Sequence, residues 1–271
     1  MFTFWLRVAV FLYGTASLAI LPAVLYDRRG WRKIALPATI AAVFFHFISL
    51  TEMLVAAHHT RPVNTHETLS LLGLLLACAF LLVYARYRTA SVGMFVLPIV
   101  FLLVLAPAFV HGEETFHQPM VRSGWIFLHI ALLLAAYVAL FVSLLASVLY
   151  LWQERRLKRK SATGTNHWLP PLETLDQIAY KTLLIGFPCM TAGLLAGSLM
   201  AQESVGPGYF LDPKVLLSFA MWAAYSGMIF IRRNAGLRGR RAVYLSSFIL
   251  LIVLTVWAAN QFSAVHRFGT P

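Results

Sequence analysis

Two histidines that are far apart in the chain have the side-chain chemistry of metal ligands. His129 lies within a long apolar segment, and His266 follows the last apolar segment. A neutral imidazole is a common protein ligand of transition metals and of haem iron. The apolar segments between the two return the chain to the same membrane face, so both rings can reach one metal. The pair predicts axial ligation of a haem iron; the alternative is a hydrogen-bonded helix histidine and an unrelated tail histidine.

Cationic and aromatic residues accompany both histidines. Cations pair well with carboxylates such as haem propionates, and aromatic rings can cover an apolar macrocycle. We expect the cations to bind the propionates and the aromatic residues to cover the ring. The cations are Arg122, Lys214 and Arg267, and the aromatic residues are Trp125, Tyr209, Phe210 and Phe268.

His46 and Glu52 are ionisable residues within the second apolar segment. Ionisable groups are costly inside a membrane, and each is therefore a candidate for function. The two are six residues apart, so they do not share a face of one helix. We expect His46 to form hydrogen bonds between helices rather than to bind haem. Glu52 is expected to pair with Arg7 or an outer histidine rather than to relay protons.

The two cysteines, Cys78 and Cys189, both lie in apolar segments. They form neither a C-x-x-C nor a C-x-x-C-H motif, so neither thiol–disulfide exchange nor thioether attachment of haem to this chain is predicted. We interpret both as small buried helix residues.

Long apolar segments are the elements that must position these residues. Of the 271 residues, 60% are hydrophobic and 12% are charged, against roughly 45–50% and about 25% in soluble proteins. Each segment is near the length of about 20 residues that a membrane-spanning helix needs, and a helix satisfies its own backbone in lipid. The segments are approximately 3–26, 34–57, 67–85, 91–110, 124–152, 178–201, 213–231 and 242–262. The sequence predicts an all-α integral membrane protein, a bundle of eight transmembrane helices.

The basic residues lie mainly on one side of this predicted bundle. Sixteen of the 22 Lys and Arg residues fall in the links after the first, third, fifth and seventh segments. Because basic links stay in the cytoplasm, both termini are predicted to be outside, in a multi-pass protein of the bacterial inner (cytoplasmic) membrane. This topology accounts for most of the net charge of +12 without a nucleic-acid partner. The link 153–175 is basic and then Pro-rich, and we interpret it as a segment on the membrane surface.

Several short motifs within residues 59–269 form a joint pattern. Thr174–Asp176 is followed by Gly186–Pro188, by Gly193 and Gly197, and by Asp212–Lys214. Further parts of the pattern are 59–69, Gly236–Ala242 and His266–Gly269. Together these motifs resemble the CcsA/CcmC-type cytochrome c assembly proteins.

The resemblance implies haem handling at the outer membrane face. Proteins of this family hold haem between two outward histidines that flank a tryptophan-rich loop, and present it to apocytochrome c for thioether formation. The histidines match His129 and His266, and the loop matches Gly206 to Asp212. The implied cofactor is a transiently bound b-type haem. The implied partners are apocytochrome c and a further assembly subunit, besides the lipid bilayer, and the chain would be a component of a cytochrome c haem lyase or synthase.

The chain departs from the family pattern at three places. Val205, Tyr209 and Leu211 replace the loop tryptophans, and Val215–Leu217 replace the acidic and aromatic residues usual after Asp212–Lys214. Near the end of the seventh helix, where an inner histidine is expected, the chain has Phe230, Ile231, Arg232 and Arg233. These features and the predicted eight helices fit the HemX-like or YpjD-like branch. The alternatives are therefore a regulatory or scaffold protein without haem delivery and, from another class, a small-molecule transporter. The predicted organisation is two N-terminal helices, 1–58, followed by an assembly-like membrane domain, 59–271.

Overall fold

In the computed structural model, the regular secondary structure of the described parts of the chain is helical. These parts are residues 2–26, 28–56, 65–109, 124–158, 168–205 and 207–235, with five single positions between 241 and 255. They contain a short 3-10 helix, Pro207–Leu211, that precedes the last described α-helix. The α-helices are α1 Phe2–Leu25, α2 Arg29–Ala56, α3 Thr65–Tyr87, α4 Gly93–Phe109, α5 Gly124–Lys158, α6 Leu172–Val205 and α7 Pro213–Ala235.

Six of the described helices are long and apolar enough to cross a membrane. The candidate spans are Thr3–Leu25, Gly30–Met53, His66–Tyr87, Trp125–Lys158, Leu172–Met200 and Val215–Asn234. Helix α4 is also apolar but has only 17 residues. The prediction of an all-α membrane protein is confirmed. The eighth helix falls almost entirely outside the described residues, so the count of eight and the outside placement of both termini stay predictions.

Several helices extend past their apolar segments into polar residues. Helix α2 begins at Arg29, although its apolar segment begins at residue 34. Helix α5 continues to Lys158, whose ammonium group lies 2.6 Å from the carboxylate of Glu154 one turn earlier. Helix α7 begins at Pro213 as predicted, because proline suits the first helical position. Hydropathy thus locates the helix centres better than the helix ends.

The chain divides into two compact units. Unit 1 comprises Met1–Thr115 and Lys160–Thr174, and unit 2 comprises Phe116–Arg159 and Leu175–Pro271. In unit 1, α1 packs against α2 and α4, and α3 packs against the same two helices. Large side chains such as Tyr13 and Phe80 are fully buried among these four helices. The boundary predicted at residue 58 separates two N-terminal helices from the segment that resembles the family. This boundary stays a prediction.

The end of the link between α5 and α6 packs into unit 1. Trp168 and Leu169 are both buried, and the Trp168 carbonyl accepts a hydrogen bond from the hydroxyl of Ser91. A buried tryptophan contributes a large apolar area to a core. These two residues therefore pack against the protein, and the placement of the link at the membrane surface stays a prediction; residues 159–167 of the link lie outside the described chain.

Unit 2 is built around α5, α6 and α7. Hydrogen bonds join neighbouring helices: the Ser143 hydroxyl donates to the Ala179 carbonyl at 2.7 Å, and the Tyr225 hydroxyl donates to the Leu183 carbonyl at 3.0 Å. Such bonds and close packing hold helices together in lipid, where the surrounding chains are as apolar as the helix surfaces. The buried core residues are Ala136, Leu140, Leu183, Met190, Met221, Tyr225 and Met228.

Candidate functional site

His129 lies on the second turn of α5, and its ring rests against α6. Its Nδ1 atom lies 2.6 Å from the carbonyl oxygen of Gly193. A carbonyl oxygen can only accept, so Nδ1 carries the proton and donates it to this bond. In the neutral ring the lone pair then lies on Nε2, the nitrogen that can bind a metal. Unit 2 therefore holds this imidazole in the tautomer that suits metal ligation through Nε2.

Gly197 makes the room that this imidazole occupies. A methyl group at position 197 would lie 3.2 Å from Nε2 of His129 and closer still to Cε1. One turn earlier, a methyl group at Gly193 would press on Leu133. Two glycines four residues apart signal that helices approach closely. The sequence pattern does not show that a histidine fills the resulting groove, so the role of the glycines as its seat comes from the structure alone.

The structure describes the other predicted site residues to different extents. Trp125 lies one turn before His129 on α5 and is 62% exposed. Phe210 is 47% exposed on the 3-10 helix, and its ring centre lies 6.4 Å from that of Phe219. Outside the described residues lie Arg122, Gly206, His266 and Arg267, and the side chains of Tyr209 and Lys214 are not described either. The approach of His129 and His266 to one haem stays a prediction.

Asp212 is buried at the start of α7. It is 6% exposed, and its carbonyl oxygen accepts the first bond of the helix, from the Leu216 nitrogen at 3.0 Å. It therefore holds the N-cap position predicted for it, where aspartate is favoured. This structural role explains why Asp212 precedes Pro213, and its predicted contact with haem stays a prediction.

His46 is buried in unit 1 with both ring nitrogens in hydrogen bonds. Its Nε2 lies 2.8 Å from the Ser70 hydroxyl, and its Nδ1 lies 3.4 Å from the Tyr13 hydroxyl. These bonds join α2 to α3 and to α1. The prediction that His46 forms hydrogen bonds between helices is confirmed, and neither nitrogen is left for a metal.

Glu52 pairs with a tryptophan rather than with Arg7. The Trp5 indole nitrogen donates to Oε1 of Glu52 at 3.1 Å, whereas Arg7 donates from Nε to the Ala108 carbonyl at 3.3 Å. The prediction of Arg7 as the partner is wrong, and the alternative partners His58 and His59 lie outside the described residues. Positions two apart on a helix point about 200° apart, so α1 directs residue 5 to α2 and residue 7 to α4.

An ion pair occupies the region where the family pattern has its inner histidine. Arg232, near the end of α7, places Nη2 2.6 Å from Oδ1 of Asp176 and 3.1 Å from the carbonyl oxygen of the same residue. The two side chains are only 5% and 19% exposed. The guanidinium also lies over the ring of Tyr180, 5.3 Å from its centre. This pair ties the start of α6 to the end of α7.

Comparisons with known proteins give one family. The family model described as "Cytochrome C assembly protein" matches residues 6–259. A cytochrome c biogenesis protein CcsA of Prochlorococcus marinus subsp. pastoris is 25% identical over 291 residues, covering 98% of this chain and 92% of the relative. Its namesake from Prochlorococcus marinus strain MIT 9215 is 29% identical over 76% of this chain and 75% of the relative. In Heterosigma akashiwo the corresponding protein is 26% identical, with 76% of each chain covered.

No solved structure matches the chain. The family model, in contrast, spans all but the ends of the sequence and includes His129, the glycine pair that seats it, and the Asp176–Arg232 ion pair. The chain therefore belongs to the CcsA/CcmC-type cytochrome c assembly protein family.

Proposed function

We propose that this protein acts in cytochrome c biogenesis by holding haem at the outer membrane face and presenting it to apocytochrome c. The relatives that it matches over most of their length are named cytochrome c biogenesis proteins. The observation that carries the proposal is the seat of His129, in which the Gly193 carbonyl fixes the tautomer of the ring.

The described residues around His129 fit a haem ligand. Metal-binding histidines almost always donate their other ring N–H to a carboxylate, backbone carbonyl or water, which orients the ring and raises its basicity. The Gly193 carbonyl is such a partner for His129. The exposed rings of Trp125 and Phe210 suit an apolar macrocycle, and His266 is proposed as the second axial ligand. Arg122 and Arg267 are proposed to bind the propionates.

The task of the chain in this proposal is binding and orientation. Bound haem supplies the vinyl groups that become thioethers, and the thiols come from apocytochrome c, so the protein contributes ligation, orientation and exclusion of water. His129 would hold the haem, and Trp125, on the same face of α5, would shield the haem from solvent. The chain would therefore be a component of a haem lyase, together with a partner subunit, rather than the source of a reacting group.

The absorption spectrum of the detergent-purified, full-length protein tests this function. We expect a Soret band in protein purified from haem-replete cells, and complete extraction of the pigment by acidified acetone, because a b-type haem is not covalently attached. The matched sample is protein made in the same host without haem synthesis. Haem is then added to the purified protein. A colourless, monodisperse protein in both preparations would contradict the proposal.

One observation favours a second function within the same family. The Asp176–Arg232 ion pair lies in the region where an inner histidine is expected, which does not favour a haem relay from an inner to an outer site. A regulatory or scaffold protein would keep this pair and the helix packing but would not depend on His129. Normal cytochrome c maturation in cells that carry His129→Ala would support this alternative. A small-molecule transporter has no comparable support among the described contacts.

Replacing Gly197 with alanine is expected to lower the haem content by about tenfold or more, the usual effect of losing the partner that orients a ligand. The new methyl group would displace the His129 ring and break its bond to Gly193. Gly227→Ala is the matched control, because no atom lies within 4 Å of a methyl group at that position. The ratio of Soret to protein absorbance measures the effect. Equal haem content in the two variants would show that the packing of the His129 ring against Gly197 does not affect haem binding.

A further inference from the structure

Unit 1 contains a cavity that the proposed function does not use. It has a volume of about 310 Å³ and lies between the end of α1, the start of α2, the link from α3 to α4, and residues 168–174. This volume is at the small end of the range of roughly 300–1,000 Å³ for ligand pockets. The cavity is therefore suited to a compact group rather than to a large macrocycle.

The lining of the cavity is positively charged. Arg32, Arg88, Thr89 and Ser91 are among its lining residues, and no acidic residue is among the residues described as lining it. A guanidinium offers planar paired donors that match the oxygens of a phosphate. Two of them on one concave surface make an anion the complementary ligand.

The backbone at Arg88 is held in an unusual conformation. Arg88 has φ of 53°, in the left-handed region that glycine or asparagine normally occupies at the end of a helix. Its nitrogen donates to the Tyr84 carbonyl at 2.8 Å, which closes the last turn of α3. An arginine in this conformation is strained, and such strain concentrates at ligand sites, where the surroundings impose it. Arg88 in this turn is one of the residues that line the cavity.

The opposite wall of the cavity is rigid. Trp168 and Leu169 are buried, and the Ser91 hydroxyl bonds to the Trp168 carbonyl. Gly93 donates to the Ala90 carbonyl at 2.9 Å, which fixes the turn before α4. These contacts form in the absence of a ligand, and a preformed wall lowers the entropic cost of binding.

The cavity also lies near the ends of three candidate membrane spans, where lipid headgroups are expected. Three of its lining residues, Val24, Arg32 and Tyr87, are within two positions of the ends of candidate membrane spans. These ends belong to the basic side of the chain, and basic pockets between transmembrane helices at that side bind anionic headgroups. We propose that this cavity binds a phosphate group, that of an anionic phospholipid, through Arg32 and Arg88.

Lipid binding to the full-length protein in detergent tests this proposal. Native mass spectrometry and thermal unfolding are measured with phosphatidylglycerol, with phosphatidylcholine and with inorganic phosphate alone. We expect phosphatidylglycerol to bind and to raise the unfolding temperature more than phosphatidylcholine does. The pair Arg32→Gln and Arg88→Asn is expected to weaken this binding by about tenfold or more. Asparagine is chosen at position 88 because it tolerates the left-handed backbone.

The control variant removes two arginines elsewhere on the basic side of the chain. Arg155→Gln with Arg156→Gln changes the net charge by the same amount, and neither residue lines the cavity. This variant should bind phosphatidylglycerol as the wild type does. Equal weakening in both double variants, or equal binding of both lipids to the wild type, would overturn the proposal. If the first pair is not monodisperse, each of its single substitutions is expected to weaken binding several-fold.

Inorganic phosphate distinguishes a membrane lipid from a soluble phosphate compound. Displacement of phosphatidylglycerol by millimolar phosphate, without stabilisation by phosphate alone, indicates a lipid. Stabilisation by phosphate alone that equals that of the lipid, and that the Arg32 and Arg88 variant loses, indicates a soluble phosphate compound. If phosphate neither competes nor stabilises, the cavity does not recognise phosphate.

Discussion

Replacing His129 with alanine is expected to remove the Soret band of the purified protein. Loss of a partner of a ligating histidine already costs about 10–100-fold in affinity, so loss of the imidazole itself is expected to cost at least as much. The His129→Gly variant leaves a cavity beside Gly193 and Gly197, and added imidazole should partly restore the band. The readout is haem per folded protein after size-exclusion chromatography. Unchanged haem content in a monodisperse His129→Ala sample would contradict the assignment.

His46→Ala is the matched control for that experiment. His46 is also a helix histidine, but it is fully buried and bonds to Tyr13 and Ser70. Its removal leaves two buried hydroxyls without this partner, and hydrogen bonds between membrane helices contribute about 0.6 to 2 kcal/mol each. We therefore expect a lower unfolding temperature with unchanged haem per folded molecule. The opposite result, haem loss on replacing His46 alone, would move the ligand site to unit 1.

Replacing Arg232 with methionine is expected to destabilise the protein by about 3–5 kcal/mol, because it leaves the Asp176 carboxylate without its countercharge in a mostly buried place. Asp176→Asn should act in the same direction. Replacing both residues with apolar ones, as in Asp176→Leu with Arg232→Met, should recover much of the loss, since an apolar pair avoids the desolvation of two charges. Thermal unfolding of the three variants in one detergent measures these effects.

An exposed ion pair of the same length provides the comparison. Lys158 and Glu154 also approach to 2.6 Å, but their side chains are 68% and 23% exposed. Pairs of this kind contribute roughly 0.3–0.5 kcal/mol. Lys158→Ala should therefore leave the unfolding temperature nearly unchanged. Equal effects of Lys158→Ala and Arg232→Met would mean that burial does not set the strength of the inner pair.

The two arginine sites, Arg232 in unit 2 and the pair Arg32 and Arg88 in unit 1, have different proposed roles. Arg232 is held by Asp176 within unit 2 and acts on stability, whereas Arg32 and Arg88 line a cavity in unit 1 and act on phosphate binding. The Arg232 variants should therefore bind phosphatidylglycerol normally once folded. In the same way, the phosphate-site variants should keep the haem content of the wild type, which separates the two proposals experimentally.

The amino-acid sequence alone determined the helices and the family. A backbone in lipid must satisfy its own hydrogen bonds, so a long apolar run has one structural solution, and the centres of all seven described helices follow from it. The start of α7 at Pro213 follows from the fixed φ of proline and the capping preference of aspartate. The hydrogen bonding of His46 was also predictable, because an imidazole deep in an apolar helix needs partners.

The tertiary structure decided which side chains meet. Glu52 contacts Trp5 rather than Arg7, and Gly193 and Gly197 hold His129, although no spacing in the sequence specifies either pairing. The rotation of each helix about its axis and the depth at which two helices cross select these partners, and both depend on the packing of the whole unit. The burial of Trp168 beneath the link from α3 to α4 has the same origin. Hydropathy is a property of one segment, whereas a contact between helices is a property of two.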